Sequence, residues 1–260
     1  MSVRGHGRPA QIAALASALA AGLPAAVGEA TAARGLPDLD QRAPYQIAVE
    51  PGAGTFRLVF ASAVDNVGAG PLIVVGRRAT RQVEGMRADQ VIVRTDGSKR
   101  VRVGVGVFRF VVEPDHRHWH YLRFDRYEFR RADEFGVVLR DRKTGFCLGD
   151  RYPVDPEAGL SPVYTSRCGL NATGLLRLEE GISPGFGDDY DPDLEGQHFN
   201  LAGLEAGRYV LVHRANADRA LLESDYANNA ASVLVKLTWR VDGPRVTVLE
   251  TCPDTARCPA

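Results

Sequence analysis

The chain has almost no lysine. Of its 32 basic residues only three, Lys99, Lys143 and Lys236, are lysines, which leaves 29 arginines. Guanidinium stays protonated and carries the ordinary surface charge, so a retained lysine marks a place where a nucleophilic amine can be required. Lys99 stands in the turn-like Asp96-Gly97-Ser98-Lys99 and reads as solvated surface. Lys236 falls in a strand-like stretch, exposed or guarding an edge. Lys143 lies just before Cys147. An excess of one charge is also missing: 32 acidic residues balance the 32 basic ones, which gives no footing for a nucleic-acid partner. No Cys-x-x-Cys pair occurs, so a zinc ribbon or a thioredoxin motif is excluded. There is no internal repeat, no low-complexity linker and, past the N-terminus, no long helical pattern. No apolar run is convincing as a membrane span.

What is present is an ordinary globular composition, 45% hydrophobic over 260 residues. Arg4 and Arg8 precede a small-residue apolar run over 10–23, and Ala30-Thr31-Ala32 follows, the order of a secretory signal. Residues 1–32 are therefore expected to be a signal peptide and 33–260 one secreted domain. Export permits disulfides among the four cysteines. Of three connectivities, nearest-neighbour pairing, Cys147 with Cys168 and Cys252 with Cys258, is the expectation.

Short runs rich in valine, isoleucine or phenylalanine at 45–50, 55–62, 71–76, 90–95, 101–112, 118–130, 136–142, 197–201, 208–213, 232–240 and 245–250 alternate at period two. Clusters such as Asp65-Asn66-Val67-Gly68-Ala69-Gly70 separate them. This predicts an all-β, β-sandwich-like single domain. Residues 144–195 read as a long irregular connection, a common place for function. Within it Asp188, Asp189, Asp191, Asp193 and Glu195 form an acidic cluster, read as a solvated loop or as a negative mouth for a cationic substrate.

Half of the six histidines fall in His116-Arg117-His118-Trp119-His120. On a strand, alternate residues share a face, so the three imidazoles would point together. Their outer α-carbons would lie about 13 Å apart, and the rings must lean inward or the strand must bend to share an ion. Neutral imidazoles suit copper, zinc, iron or nickel, and copper(II) binds most tightly of the divalent series. His198 and His213 read as structural rather than as a fourth ligand.

These residues resemble the lysyl oxidases. Animal members carry His-Gln-His-Tyr-His, matched by 116–120, and Lys-Ala-Ser-Phe-Cys-Leu-Glu-Asp, matched by Lys143-Thr144-Gly145-Phe146-Cys147-Leu148-Gly149-Asp150. Their Gly-Leu-Ser-Pro-Gly-Cys-Tyr-Asp-Thr-Tyr is matched by Gly181-Ile182-Ser183-Pro184-Gly185-Phe186-Gly187-Asp188-Asp189-Tyr190. Leu36-Pro37-Asp38-Leu39 and Glu223-Ser224-Asp225-Tyr226-Ala227-Asn228-Asn229 resemble further motifs, so the likeness runs from about 36 to 240. It implies copper held by His116, His118 and His120, and a lysine tyrosylquinone cofactor made from Lys143 and Tyr190. The implied reaction is oxidative deamination of a primary amine, a small amine or protein lysine, to an aldehyde, with O₂ consumed and ammonia and hydrogen peroxide released. A base near Tyr190 would be Asp188, Asp189 or Asp191. The family's Trp-Glu-Trp-His-Ser-Cys lead-in is replaced by Phe110-Val111-Val112-Glu113-Pro114-Asp115, and Phe186 replaces a second family cysteine. Cys168 is thereby implied to pair differently than in the animal proteins, and the chain reads as a distant, microbial-type member.

Two other classes compete. A secreted, non-catalytic immunoglobulin-like binding module would explain 204–211 and 223–229 but not the histidines, Lys143 and Tyr190 together. A cupin-type iron oxygenase would need a carboxylate ligand, which Glu113 or Asp115 would supply.

Overall fold

The structure is a computed structural model. It describes Met1 and residues 35–52, 54–112, 117–140, 145–194 and 196–259. The expected signal peptide, His116, Lys143, Glu113, Asp115 and Glu195 lie outside the described residues.

The alternating sequence folds as strands: β1 (Leu39–Gln41), β2 (Tyr45–Gly52), β3 (Thr55–Asn66), β4 (Leu72–Arg77), β5 (Gly85–Val93), β6 (Lys99–Phe110), β7 (Trp119–Tyr121), β8 (Asp125–Arg131) and β9 (Val137–Arg140). Then come β10 (Tyr152–Pro153), β11 (Arg177–Ile182), β12 (Phe186–Tyr190), β13 (His198–Asn200), β14 (Gly207–Ala215), β15 (Ala230–Arg240) and β16 (Gly243–Cys252). Three sheets result. One is built around β3, with β1 and β2 along one edge and β12 and β13 along the other; β10 extends β12. The second runs β11-β4-β5-β6-β7 and the third β16-β15-β14-β8-β9. Every pairing among the described residues is antiparallel. No helix among them is long and apolar enough to cross a membrane.

One core joins the sheets. Leu58, Phe60 and Val64 from β3 meet Leu72 and Val74 from β4, Phe108 from β6, Tyr127 and Phe129 from β8, and Tyr209 and Leu211 from β14. Each large apolar side chain so buried contributes about 1.5–3 kcal/mol. A one-residue slip of β3 would turn all three of its core side chains away, so burial fixes the register. The alternate residues Val210 and Val212 face the other way and form a small second cluster with Cys252 and Cys258. Both expected disulfides are present, Cys147–Cys168 and Cys252–Cys258.

Two expectations need correction. Residues 118–130 are not one strand. The chain breaks at 122–124, with Arg123 at φ 67°, because β7 closes the second sheet on β6 while β8 joins β14 in the third. The supposed loop over 144–195 holds β10, β11 and β12. β12 reads Phe-Gly-Asp-Asp-Tyr, poor in strand formers, and its pairing with β3 overrides that propensity. Gly187 is required there, because a Cβ would lie 2.2 Å from the Tyr152 ring.

Candidate active site

β7 carries His120, with His118 just before it, into the junction between sheets. Arg117 is exposed, but Trp119, His120 and Tyr121 are all buried, so the short strand is covered on both faces. The Trp119 backbone N–H donates to Cys168 O at 2.9 Å, its indole N–H donates to Ala172 O at 3.0 Å, and the Arg78 guanidinium lies 4.8 Å from its ring centre. His118 and His120 converge as the alternation predicted. Their Nε2 atoms are 2.8 Å apart and their ring centres 4.7 Å apart. At that distance the rings are hydrogen-bonded to each other; two nitrogens on one tetrahedral ion at about 2.0–2.1 Å would lie about 3.3 Å apart, so a separation of about half an ångström would let both reach one metal.

The lysine-bearing motif docks directly on this strand. Tyr121 and Phe146 exchange both backbone hydrogen bonds, at 2.8 and 3.0 Å. Gly145, at φ 150°, makes the approach feasible: a Cβ there would sit 2.8 Å from both His120 Cβ and Tyr121 O. The described segment begins at Gly145, two residues after Lys143.

Tyr190 reaches the same segment from β12. Its ring meets Phe146 edge-on, with centres 4.9 Å apart. Its hydroxyl donates to Asp188 Oδ2 at 2.6 Å and lies 3.3 Å from Cys147 O. Arg151 holds this corner. Its Nε is 3.4 Å from Asp188 Oδ1 and its terminal nitrogen donates to Cys147 O at 3.1 Å. Behind Tyr190, Gln197 donates to Tyr190 O at 3.4 Å and Ser62 Oγ at 2.9 Å.

Strand alternation sorts the three candidate carboxylates. Asp188 and Tyr190 point inward together and Asp188 is fully buried. Asp189 and Asp191 are exposed on the other side and act electrostatically on Tyr45. Among the described residues of the acidic run, only Asp188 faces Tyr190. Burial pushes Asp188 up to about 7, against the lowering effects of Arg151 and the Tyr190 hydrogen bond. Burial, then the Asp188 charge and hydrogen bond, push the Tyr190 phenol well above its ordinary range. Glu180, also buried, is raised well above the carboxylate range, chiefly by desolvation. Its Oε2 accepts the Leu148 N–H at 3.0 Å.

His213 is buried with both ring nitrogens engaged. Nε2 lies 2.6 Å from Asp125 Oδ2, Nδ1 meets the Gln41 side-chain amide, and Tyr127 packs on its face. This fits the structural reading. Glu250 approaches the Cys252 and Cys258 sulfurs, but these are oxidised to a disulfide and offer no thiolate. Arg151 and Gln197 were not singled out from sequence. One arginine among 29 carries no signal, and Gln197 acts only through tertiary contacts.

The lysyl oxidase family model matches residues 90–250, from β5 to β16. Lysyl oxidase homolog 1 of Homo sapiens is 27% identical over 129 residues, 48% of this chain and 20% of that protein. Protein-lysine 6-oxidase of Gallus gallus is 27% identical over 124 residues, 47% of this chain and 27% of that protein. Lysyl oxidase homolog 3B of Danio rerio is 29% identical over 153 residues, 58% of this chain and 17% of that protein. The matches therefore span at most about a quarter of the length of these three relatives. The family match covers well over half of the present chain and includes β7, Gly145–Cys147 and Tyr190: the chain belongs to the lysyl oxidase family.

Proposed function

We propose that the protein is a secreted copper amine oxidase of lysyl oxidase type. It would convert primary amines, small ones or lysyl side chains, to aldehydes, with O₂ as acceptor and ammonia and hydrogen peroxide as products. The observation that carries this reading is the packing of Tyr190 on Phe146, in a segment hydrogen-bonded to the strand of His120. Two residues of chain span at most about 7 Å, so covalent connection alone keeps the Lys143 α-carbon within that reach of Gly145.

His118 and His120, with His116, would hold copper; Lys143 and Tyr190 would join as lysine tyrosylquinone. The metal would supply oxidation of the tyrosine ring, and the quinone an electron sink for the amine. Asp188 is the proposed base. Arg151 engages its Oδ1, leaving Oδ2 against the Tyr190 hydroxyl to take a proton there. A carboxyl pushed up to about 7 both accepts and returns a proton near neutral pH. The Cys147–Cys168 bridge and Arg151 fix Cys147 O, which orients the phenol from its other side.

The test is a tryptic map of copper-loaded protein, run beside peroxide release from a panel of amines. A linked Lys143–Tyr190 peptide is expected in wild type and none in Tyr190→Phe, which keeps its fold and metal but releases no amine-dependent peroxide. Equal peroxide from both proteins refutes the assignment. Absence of quinone absorbance after copper loading would favour a non-catalytic module.

A further inference from the structure

We propose that Asp125, held by His213, is the anion that favours a protonated amine at Tyr190: a buried carboxylate–imidazole couple that acts on the substrate through its charge. This rests on the amine oxidase reading and adds two positioning residues to its centre.

Strand alternation turns both residues toward the interior that Tyr190 occupies. On β14, His213 shares a face with Tyr209, Leu211 and Ala215, and on β8, Asp125 shares one with Tyr127 and Phe129; these neighbours all belong to the main core. Tyr190 stands opposite Ser62 of β3, on the face of Leu58, Phe60 and Val64, which lines the same core. Contacts cross the space between. Ser62 Oγ lies 2.7 Å from the Tyr127 hydroxyl and accepts from Gln197, which also reaches Tyr190 O. Phe146, edge-on to the Tyr190 ring, has its centre 6.3 Å from that of Tyr127, which in turn packs on His213 at 4.5 Å. The charge on Asp125 acts on both the Tyr190 phenol and the Asp188 carboxyl and helps to push each up.

Gln41 ensures that this charge is not cancelled by its partner. Its Nε2 donates to Ala63 O at 2.6 Å and Arg42 O at 3.2 Å, two carbonyls that only an N–H can meet. The same nitrogen meets His213 Nδ1, so Nδ1 accepts and the ring proton sits on Nε2, where it is donated to Asp125 Oδ2 at 2.6 Å. The imidazole is therefore neutral. The couple carries one full negative charge, with both side chains shielded from solvent. Asp188 differs, because the Arg151 guanidinium lies 3.4 Å from it. A buried carboxylate favours a cation beside it, and a primary amine arrives as an ammonium near neutral pH.

The test is Asp125→Asn, which has nearly the same volume and still accepts the His213 proton, so only the charge is lost. In the copper-loaded enzyme, KM for n-butylamine should rise about tenfold or more, the scale of one charge-assisted hydrogen bond, while kcat changes much less. His213→Gln, whose amide can also donate to Asp125, should stay closer to wild type. An unchanged KM, or a loss in kcat alone, overturns the proposal. Binding without turnover is read by calorimetry on zinc-loaded Lys143→Met, because zinc has no redox chemistry and no lysine amine competes at 143. There n-butylammonium should bind more tightly than butan-1-ol, and adding Asp125→Asn should erase the preference. Equal binding of the two, or a preference that survives Asp125→Asn, overturns the proposal. Peroxide from no amine in wild type overturns the oxidase reading instead, and the titration then decides the role of Asp125 alone.

Discussion

Replacing Asp188 by Asn should change how stability depends on pH. The carboxyl is fully buried and raised from 3.8 to about 7. A carboxyl whose pKa is higher in the folded chain binds its proton more tightly when folded. Its contribution is therefore fully present at acid pH and is lost as pH rises through about 7. With those two values, wild type loses about 2–3 kcal/mol between pH 5 and pH 8 on account of this group. Asn cannot ionise, has nearly the same volume and still accepts the Tyr190 hydroxyl, so the variant should not show that loss. Glu180 and Glu223, both raised by burial, slope in the same direction in both proteins and cancel to first order in the difference. Urea unfolding of metal-free, disulfide-intact protein at the two pH values measures it. The Asn variant should gain on wild type by about 2–3 kcal/mol from pH 5 to pH 8. Parallel pH curves for the two proteins would refute the buried, proton-holding carboxyl, and with it the proposed base.

Gly145→Ala forces a Cβ into His120 Cβ and Tyr121 O; it should displace the 145–148 segment and lower both copper stoichiometry by metal analysis and yield of the linked peptide. Joint replacement of Cys147 and Cys168 by serine opens a bridge of sequence separation 21. It should cost about 3 kcal/mol in denaturant unfolding and disturb Cys147 O, so quinone yield should fall by more than the unfolded fraction explains.

The likeness to lysyl oxidases was legible because its chemistry sits in short local runs. Alternation alone predicted that His118 and His120 would converge, and strand periodicity predicted the all-β class. β12 was illegible: Gly187 and Asp188 are poor strand formers, and only the facing edge of β3 and the Tyr152 ring beside Gly187 make them strand. The choice among Asp188, Asp189 and Asp191 was open for the same reason, since inward and outward faces exist only once that strand is paired.

Sequence by itself determined which atoms are available: clustered imidazoles, three lysines in an arginine-rich chain, a tyrosine after two aspartates, and two pairable couples of cysteine. Tertiary structure decided which of them meet. Tyr190, Phe146 and His120 come together because β3, the 145–148 segment and β7 pack into one junction. Only burial there could lift Asp188 to near neutrality, since desolvation depends on everything around a group and not on its neighbours in the chain.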